Sequence, residues 1–201
     1  MKNPLRKRLP RELKGELGKY LVVFILMVAS IGFVSGFLVA DNSMLIAYNE
    51  GFEKYNIEDG NFRTAEQVHK TQREEIEALG VKLYDNYYVE EPLDNGSTMR
   101  FFKNRQQVDK VCLMKGELPA GTGEIAIDRM YADNNKLSVG DTLKSGKKTW
   151  KITGLVALSD YSALFQNNND TMFDAIKFGV GIVTKEEFSS FNESQLTYDY
   201  A

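Results

Sequence analysis

Twenty-one consecutive residues, Tyr20 to Ala40 (YLVVFILMVASIGFVSGFLVA), contain no charge, no Pro, no Asn and no Gln. At about 1.5 Å per residue a helix of that length reaches about 31 Å, the thickness of a bilayer's hydrocarbon core. The run is therefore expected to cross a membrane, because the core helix of a soluble protein is usually shorter and carries polar residues along one face. Whatever precedes the span and whatever follows it then lie in different compartments.

Charge assigns the two sides. Residues 1–19 hold seven cations (Lys2, Arg6, Lys7, Arg8, Arg11, Lys14, Lys19) and two anions (Glu12, Glu16), a net of +5; with a total of −3, the remainder carries −8. The positive-inside rule places the N-terminus in the cytoplasm and residues 41–201 outside, in a single-pass arrangement in the cell membrane. A cleaved signal peptide is the competing reading, but its apolar core is shorter, and Leu38-Val39-Ala40 puts a bulky residue at the −3 position. Two readings of the tail stand: a basic amphipathic segment along the inner leaflet, with Leu13, Leu17 and Tyr20 at helical spacing, or a solvated anchor. Within the span, Gly32 and Gly36 form a G-x-x-x-G pair, which predicts packing against another membrane helix.

About 160 residues remain outside, enough for one domain with its own core. Nine of the ten tyrosines lie there, a composition that suits a globular domain. Cys112 has no cysteine partner in the chain and, between Val111 and Leu113-Met114, is expected to be a buried structural thiol. Apolar spacing at Leu45, Tyr48 and Phe52 extends the membrane helix outward until Gly51 and Asn56 loosen it. NIEDGNFR predicts a short strand. Thr64 with Gln67 predicts a helix start, Val68, Ile76 and Leu79 its apolar stripe, and Gly80 its end. VKLYDNYYVE and STMRFF predict a hairpin across Pro92–Gly96. From 111 to about 160, KVCLMKG, GEIAID, DTLKSG and KTWKITGLV read as a small β-rich subdomain, followed by the 167–170 loop, a strand over FGVGIVT and a helix begun by KEEFSSF. The expected class is α+β, one N-terminal membrane helix followed by an extracytoplasmic α+β domain with an inserted β-rich piece.

Catalytic patterns are absent from this reading. His69 sits next to Lys70 on the expected polar face of the second helix, and one His and one Cys far apart support neither a zinc site nor a nucleophilic triad. Gly146-Lys147-Lys148-Thr149 lacks the earlier glycine of a phosphate-binding loop and reads as a hairpin turn. The adjacent pairs Glu74-Glu75, Glu90-Glu91 and Glu186-Glu187 point apart in a helix or a strand. An acidic outer domain argues against nucleic acid. No catalytic, metal or cofactor residue is assigned, and the chain is not expected to be an enzyme.

Residues 115–156, KGELPAGTGEIAIDRMYADNNKLSVGDTLKSGKKTWKITGLV, resemble a recurrent segment in the outer domain of FtsX-like, MacB-type ABC transporter permeases. The correspondence rests on Gly116 with Pro119, Glu124-Ile125, Ala132, Val139-Gly140-Asp141-Thr142-Leu143 and Gly154-Leu155-Val156. The resemblance implies a bacterial permease subunit whose ATP is bound by a separate ATPase, with further permease helices or a second copy in the membrane and an extracytoplasmic substrate or accessory protein outside. Its function would be export or mechanical transduction. The family's outer domain leads back to three more membrane helices, so a chain stopping at Ala201 reads as a fragment or truncated product with an incomplete outer domain. Independently of the resemblance, Gly116 and Pro119 suit a chain reversal, Gly140-Asp141 a turn, and Gly154 a bulge or close backbone approach. A stand-alone single-span binding or sensor module is the alternative, and a membrane-anchored hydrolase a third reading.

Overall fold

The computed structural model describes residues 11, 14–167 and 169–201; most of the expected inner amphipathic segment and Asn168 of the 167–170 loop lie outside them. The chain divides between Glu50 and Gly51. Helix α1 spans Leu17–Tyr55, 39 residues, and none of them is buried. It is long and apolar enough to cross a membrane. Ser30 returns its hydroxyl to the Leu26 carbonyl at 2.8 Å, so this polar side chain satisfies itself within the helix. The helix passes Gly51 unbroken and ends where Asn56 takes φ 49°, so of the two residues expected to loosen it only Asn56 does.

The remaining elements are β1 (Phe62–Thr64), α2 (Lys70–Glu77), β2 (Tyr88–Pro92), β3 (Thr98–Lys103), β4 (Cys112–Gly116), β5 (Glu124–Asp128), α3 (Arg129–Asn135), β6 (Thr142–Ser145), β7 (Lys148–Ala157), β8 (Phe178–Val183), α4 (Lys185–Phe188) and β9 (Leu196–Tyr200). The strands form one mixed sheet in the order β1-β9-β2-β3-β8-β5-β7-β4, with β6 also paired to β7. Both expected hairpins are present, the first with a shorter opening strand that begins at Tyr88 and takes in Pro92: β2 pairs β3 with Val89 opposite Phe101, and β6 pairs β7 with Ser145 opposite Lys148. The strands expected as a β-rich insert are hydrogen-bonded to the rest of the sheet where β5 meets β8.

The second helix starts later than Thr64. Thr64 is held in β1 opposite Tyr198 of β9, and its hydroxyl turns to the Glu66 carbonyl, so its backbone is not free to begin a helix. His69 takes the cap position instead, its N–H donating to Gln72 Oε1 at 3.0 Å, and it therefore stands at the helix start and not on a polar face. Leu79 is 84% exposed, so the apolar stripe stops at Val68 and Ile76, both half-buried.

Strand β8 is buried at all six positions, as an apolar run covered on both faces must be. Tyr131 of α3 and Ile125 of β5 press so closely on Gly179 and Gly181 that a Cβ there would sit 2.5 Å from their carbons. Phe101, Trp150 and Phe191 pack together with ring centroids 4.8 to 6.3 Å apart, each ring contributing roughly 1.5–3 kcal/mol by its burial. Strand β4 lies at the sheet's edge and is mostly exposed, with Leu113 42% and Met114 53% accessible. Cys112 is accordingly half-buried rather than enclosed, and accepts a hydrogen bond from the Tyr55 hydroxyl at 2.9 Å.

Candidate functional site: a polar cavity over buried carboxylates

The positions that carry the family resemblance gather on three residues of β7. Gly140 N–H donates to the Ile152 carbonyl and Ile152 N–H to the Asp141 carbonyl, both at 2.8 Å, while the Asp141 carboxylate accepts from Ser138 N–H at 2.8 Å. Glu117 N–H donates to the Thr153 carbonyl at 2.9 Å, and Gly116 pairs with Gly154. Thr153 is the extra residue of a bulge, since Ile125 and Ala126 oppose Ile152 and Gly154. A Cβ on Gly154 would meet the Glu117 carbonyl, and one on Gly116 (φ 77°) the Thr153 carbonyl. Gly140 adopts φ 102° in its turn. Pro119 is separate, on the wall of another depression near Lys185. These positions build the bulge and hold no constellation of reactive groups. Gly32 and Gly36 lie in α1, where a Cβ would have nothing within 4 Å.

The chemistry gathers elsewhere. A cavity of about 500 Å³ is lined by Glu58 and Asn61 after α1, Phe62 and Arg63 of β1, Asn86, Arg100 of β3, Asp160, Tyr161 and Phe165, and Asp199 of β9, among others. The segment after α1 is fixed by the 107–110 loop: Lys110 N–H donates to the Tyr55 carbonyl at 2.9 Å, Asp109 N–H to the Asn56 carbonyl at 3.0 Å, and Asn56 Nδ2 to the Gln107 carbonyl at 2.6 Å. Glu58 N–H then donates to Asp109 Oδ1 at 3.1 Å.

Glu58, Asp109 and Asp160 each use one carboxyl oxygen and leave the other buried without a hydrogen bond, Asp109 Oδ2 lying 4.0 Å from Arg105 Nη1. Glu58 Oε1 accepts from Asn61, Asp109 Oδ1 from Glu58 N–H, and Asp160 Oδ2 from Arg105 Nη1 at 2.7 Å; Glu58 Oε2, Asp109 Oδ2 and Asp160 Oδ1 make no hydrogen bond, nor does Asn86 Oδ1. Arg105 is the cation that Asp109 and Asp160 share, 4% exposed in its side chain, over Phe102 at 4.6 Å, with Nε and Nη2 making no hydrogen bond. Burial, reinforced by the Asp109 and Asp160 charges, pushes the Glu58 carboxyl up to about 7. Burial and the Asp160 charge also push Asp109 up. Tyr161 is pushed up to about 12, mainly by burial.

Arg100, on the same cavity, makes four hydrogen bonds. Its Nε and Nη2 hold Glu90 Oε1 at 2.9 and 2.5 Å, Nη1 donates to the Tyr161 hydroxyl and Nη2 to the Gln166 carbonyl, both at 2.7 Å, and the guanidinium stacks on Tyr88 at 4.2 Å.

Sequence reasoning did not reach this cluster, because acids about fifty residues apart in loops each read as solvated. The detectable trace lay in the hydrophobic flanks of Asp109 and Asp160, in Val108 and Leu158, which are both buried. Among the described residues, no group of three or more His, Cys, Asp or Glu side chains is placed to hold a metal ion. Comparisons with protein-family models, with curated proteins and with solved structures return no match for this chain.

Proposed function

We propose that this chain acts as a membrane permease, whole or in part, in an ABC transporter of the FtsX-like, MacB type. The N-terminus faces the cytoplasm, residues 41–201 lie outside, and a separate ATPase supplies the energy for export or mechanical transduction. The observation that carries this reading is α1 itself: an apolar helix with no buried residue whose last turn is fastened by the backbone hydrogen bonds of residues 107–110 and by Tyr55 on Cys112. The order of the turn glycines around β7, which matches the family's segment, supports the same reading, as does a β-rich stretch running from β4 to β7.

The coding sequence beyond the Ala201 codon tests it. Three further apolar runs beside a reading frame with the ATPase phosphate-loop motif support the permease; a stop codon with neither overturns it. The alternative, a single-span binding or sensor module, is favoured by one observation, the cavity with its unpaired acceptors, and would be left standing by that second outcome.

A further inference from the structure

We infer that the cavity bounded by Glu58, Asn86 and Asp160 is a binding site for a small organic cation bearing N–H donors, an ammonium or guanidinium group. The inference stands on the outer domain alone and does not depend on the permease assignment.

Hydrogen-bond bookkeeping leads to it. Three buried atoms on this wall make no hydrogen bond: Asn86 Oδ1 and Asp160 Oδ1 are acceptors, and Glu58 Oε2 becomes one when its carboxyl ionises. Asn86 is only 5% exposed and the Asp160 side chain 9%, so bulk water does not reach them freely. A buried acceptor without a donor loses its hydration and recovers nothing, and a ligand that brings N–H groups restores the loss. Charge points the same way. Asp109 and Asp160 share Arg105, whose Nη1 lies 4.0 and 2.7 Å from their carboxylates, so ionisation of Glu58 beside them adds a negative charge without a cation of its own. Of the cations on the wall, Arg100 spends most of its donors on Glu90, Tyr161 and Gln166, and Arg63 lies over the Tyr88 ring at 5.2 Å with the Asp199 carboxylate nearby.

The shape selects an organic cation over a metal ion. A bare divalent ion needs several oxygens converging within about 2.6 Å of one point. No such cluster exists among the described residues. A volume of about 500 Å³ instead matches a small-molecule site. Phe62, Tyr161 and Phe165 supply aromatic surface beside the acceptors, the surroundings that favour an alkylammonium or a guanidinium.

The test is calorimetric titration of the full chain in detergent micelles. The probes are 1,4-diaminobutane and agmatine, with tetramethylammonium, succinate and calcium chloride as comparisons. Both amines are expected to bind saturably, tetramethylammonium at least about tenfold more weakly because it donates no hydrogen bond, and succinate and calcium not at all. Glu58 faces Asn61, Asp109 and Asp160, with Arg105 behind the two aspartates. A cation placed there favours its ionised form, so binding near pH 7 should release protons, measured as a heat that differs between phosphate and Tris buffers. Glu58→Gln should weaken both amines about tenfold and abolish the proton release, while a conformational role for Glu58 alone would leave the buffer dependence in place. Asp160→Asn should weaken them similarly. If that variant does not fold, Glu58→Gln, whose side chain is half-exposed, decides the matter. Absence of saturable heat from either amine up to about 10 mM overturns the proposal. So does equal binding of tetramethylammonium, saturable binding of calcium in their place, or unchanged binding and proton release in Glu58→Gln.

Discussion

Trp150 donates its indole N–H to Glu187 Oε1 at 2.8 Å, and the other oxygen of the same carboxylate accepts Gly123 N–H at 2.9 Å. Glu187, only 8% exposed, therefore ties α4 to β7 and to the turn before β5. Glu187→Ala leaves two buried donors without an acceptor and should cost about 2–4 kcal/mol, measured by denaturant unfolding of the full chain in micelles. Glu187→Gln, which keeps an acceptor for Trp150, should cost less than half of that. Equal losses from both substitutions would show that the carboxylate's charge, and not its bridging geometry, holds α4.

Gly154→Val should destabilise by about 1–3 kcal/mol, because the new Cβ meets the Glu117 carbonyl, part of a backbone held by its own hydrogen bond to Thr153. The cause is this close approach and not a left-handed backbone. Thr149→Val on the exposed part of the same strand should be neutral or stabilising, since Val suits strands. An unchanged unfolding midpoint for Gly154→Val would remove the role assigned to this glycine.

Stability should depend on pH through Glu58. Its folded-state pKa of about 7 lies above the ordinary 4.5, so between those values the folded chain keeps a proton that the unfolded chain has released. Stability then falls as pH rises through this window and levels off above it. The loss should be about 1–2 kcal/mol, since the side chain is half-exposed and solvent screens it. Glu58→Gln should flatten the profile between pH 5 and 7; an unaltered slope in that variant would assign the dependence to Asp109 or to another group.

Under the proposed membrane-spanning role of α1, Gly32 and Gly36, where a Cβ would have nothing within 4 Å, are the positions at which a second helix backbone can approach. Replacing both with Leu should weaken assembly with further permease helices or a second copy by about 1–2 kcal/mol, read as lower crosslinking yield in native membranes. An unchanged yield would make these glycines merely tolerated.

The parts legible in the sequence were those specified by neighbours in the chain. The 21-residue apolar run, the two hairpins and the apolar strand β8 each carry a periodicity or a turn signal within about ten residues. Strand β9 did not: LTYDY has weak alternation, and what makes it a strand is pairing with β1 and β2, over a hundred residues away. The start of α2 moved for the same reason, since Thr64 is claimed by Tyr198 of β9. Gly154 was legible because a glycine inside a strand pattern marks close approach. The cavity was not, because its acids come from the end of α1 and from two distant loops, and adjacency in sequence was the pattern available for pairing carboxylates.

The central claim is that an intact membrane span places the folded outer domain on the side opposite the basic N-terminus. Lys147 stands exposed in the β6–β7 turn, and Cys112 is the one native cysteine, so Lys147→Cys in a Cys112→Ser chain offers a single thiol for labelling. Intact cells treated with a membrane-impermeant maleimide should label this thiol fully, and the labelled chain should keep an N-terminal tag and pellet with the membranes. Labelling only after the membrane is opened, or a labelled product that has lost its tag and left the membrane, would contradict the account.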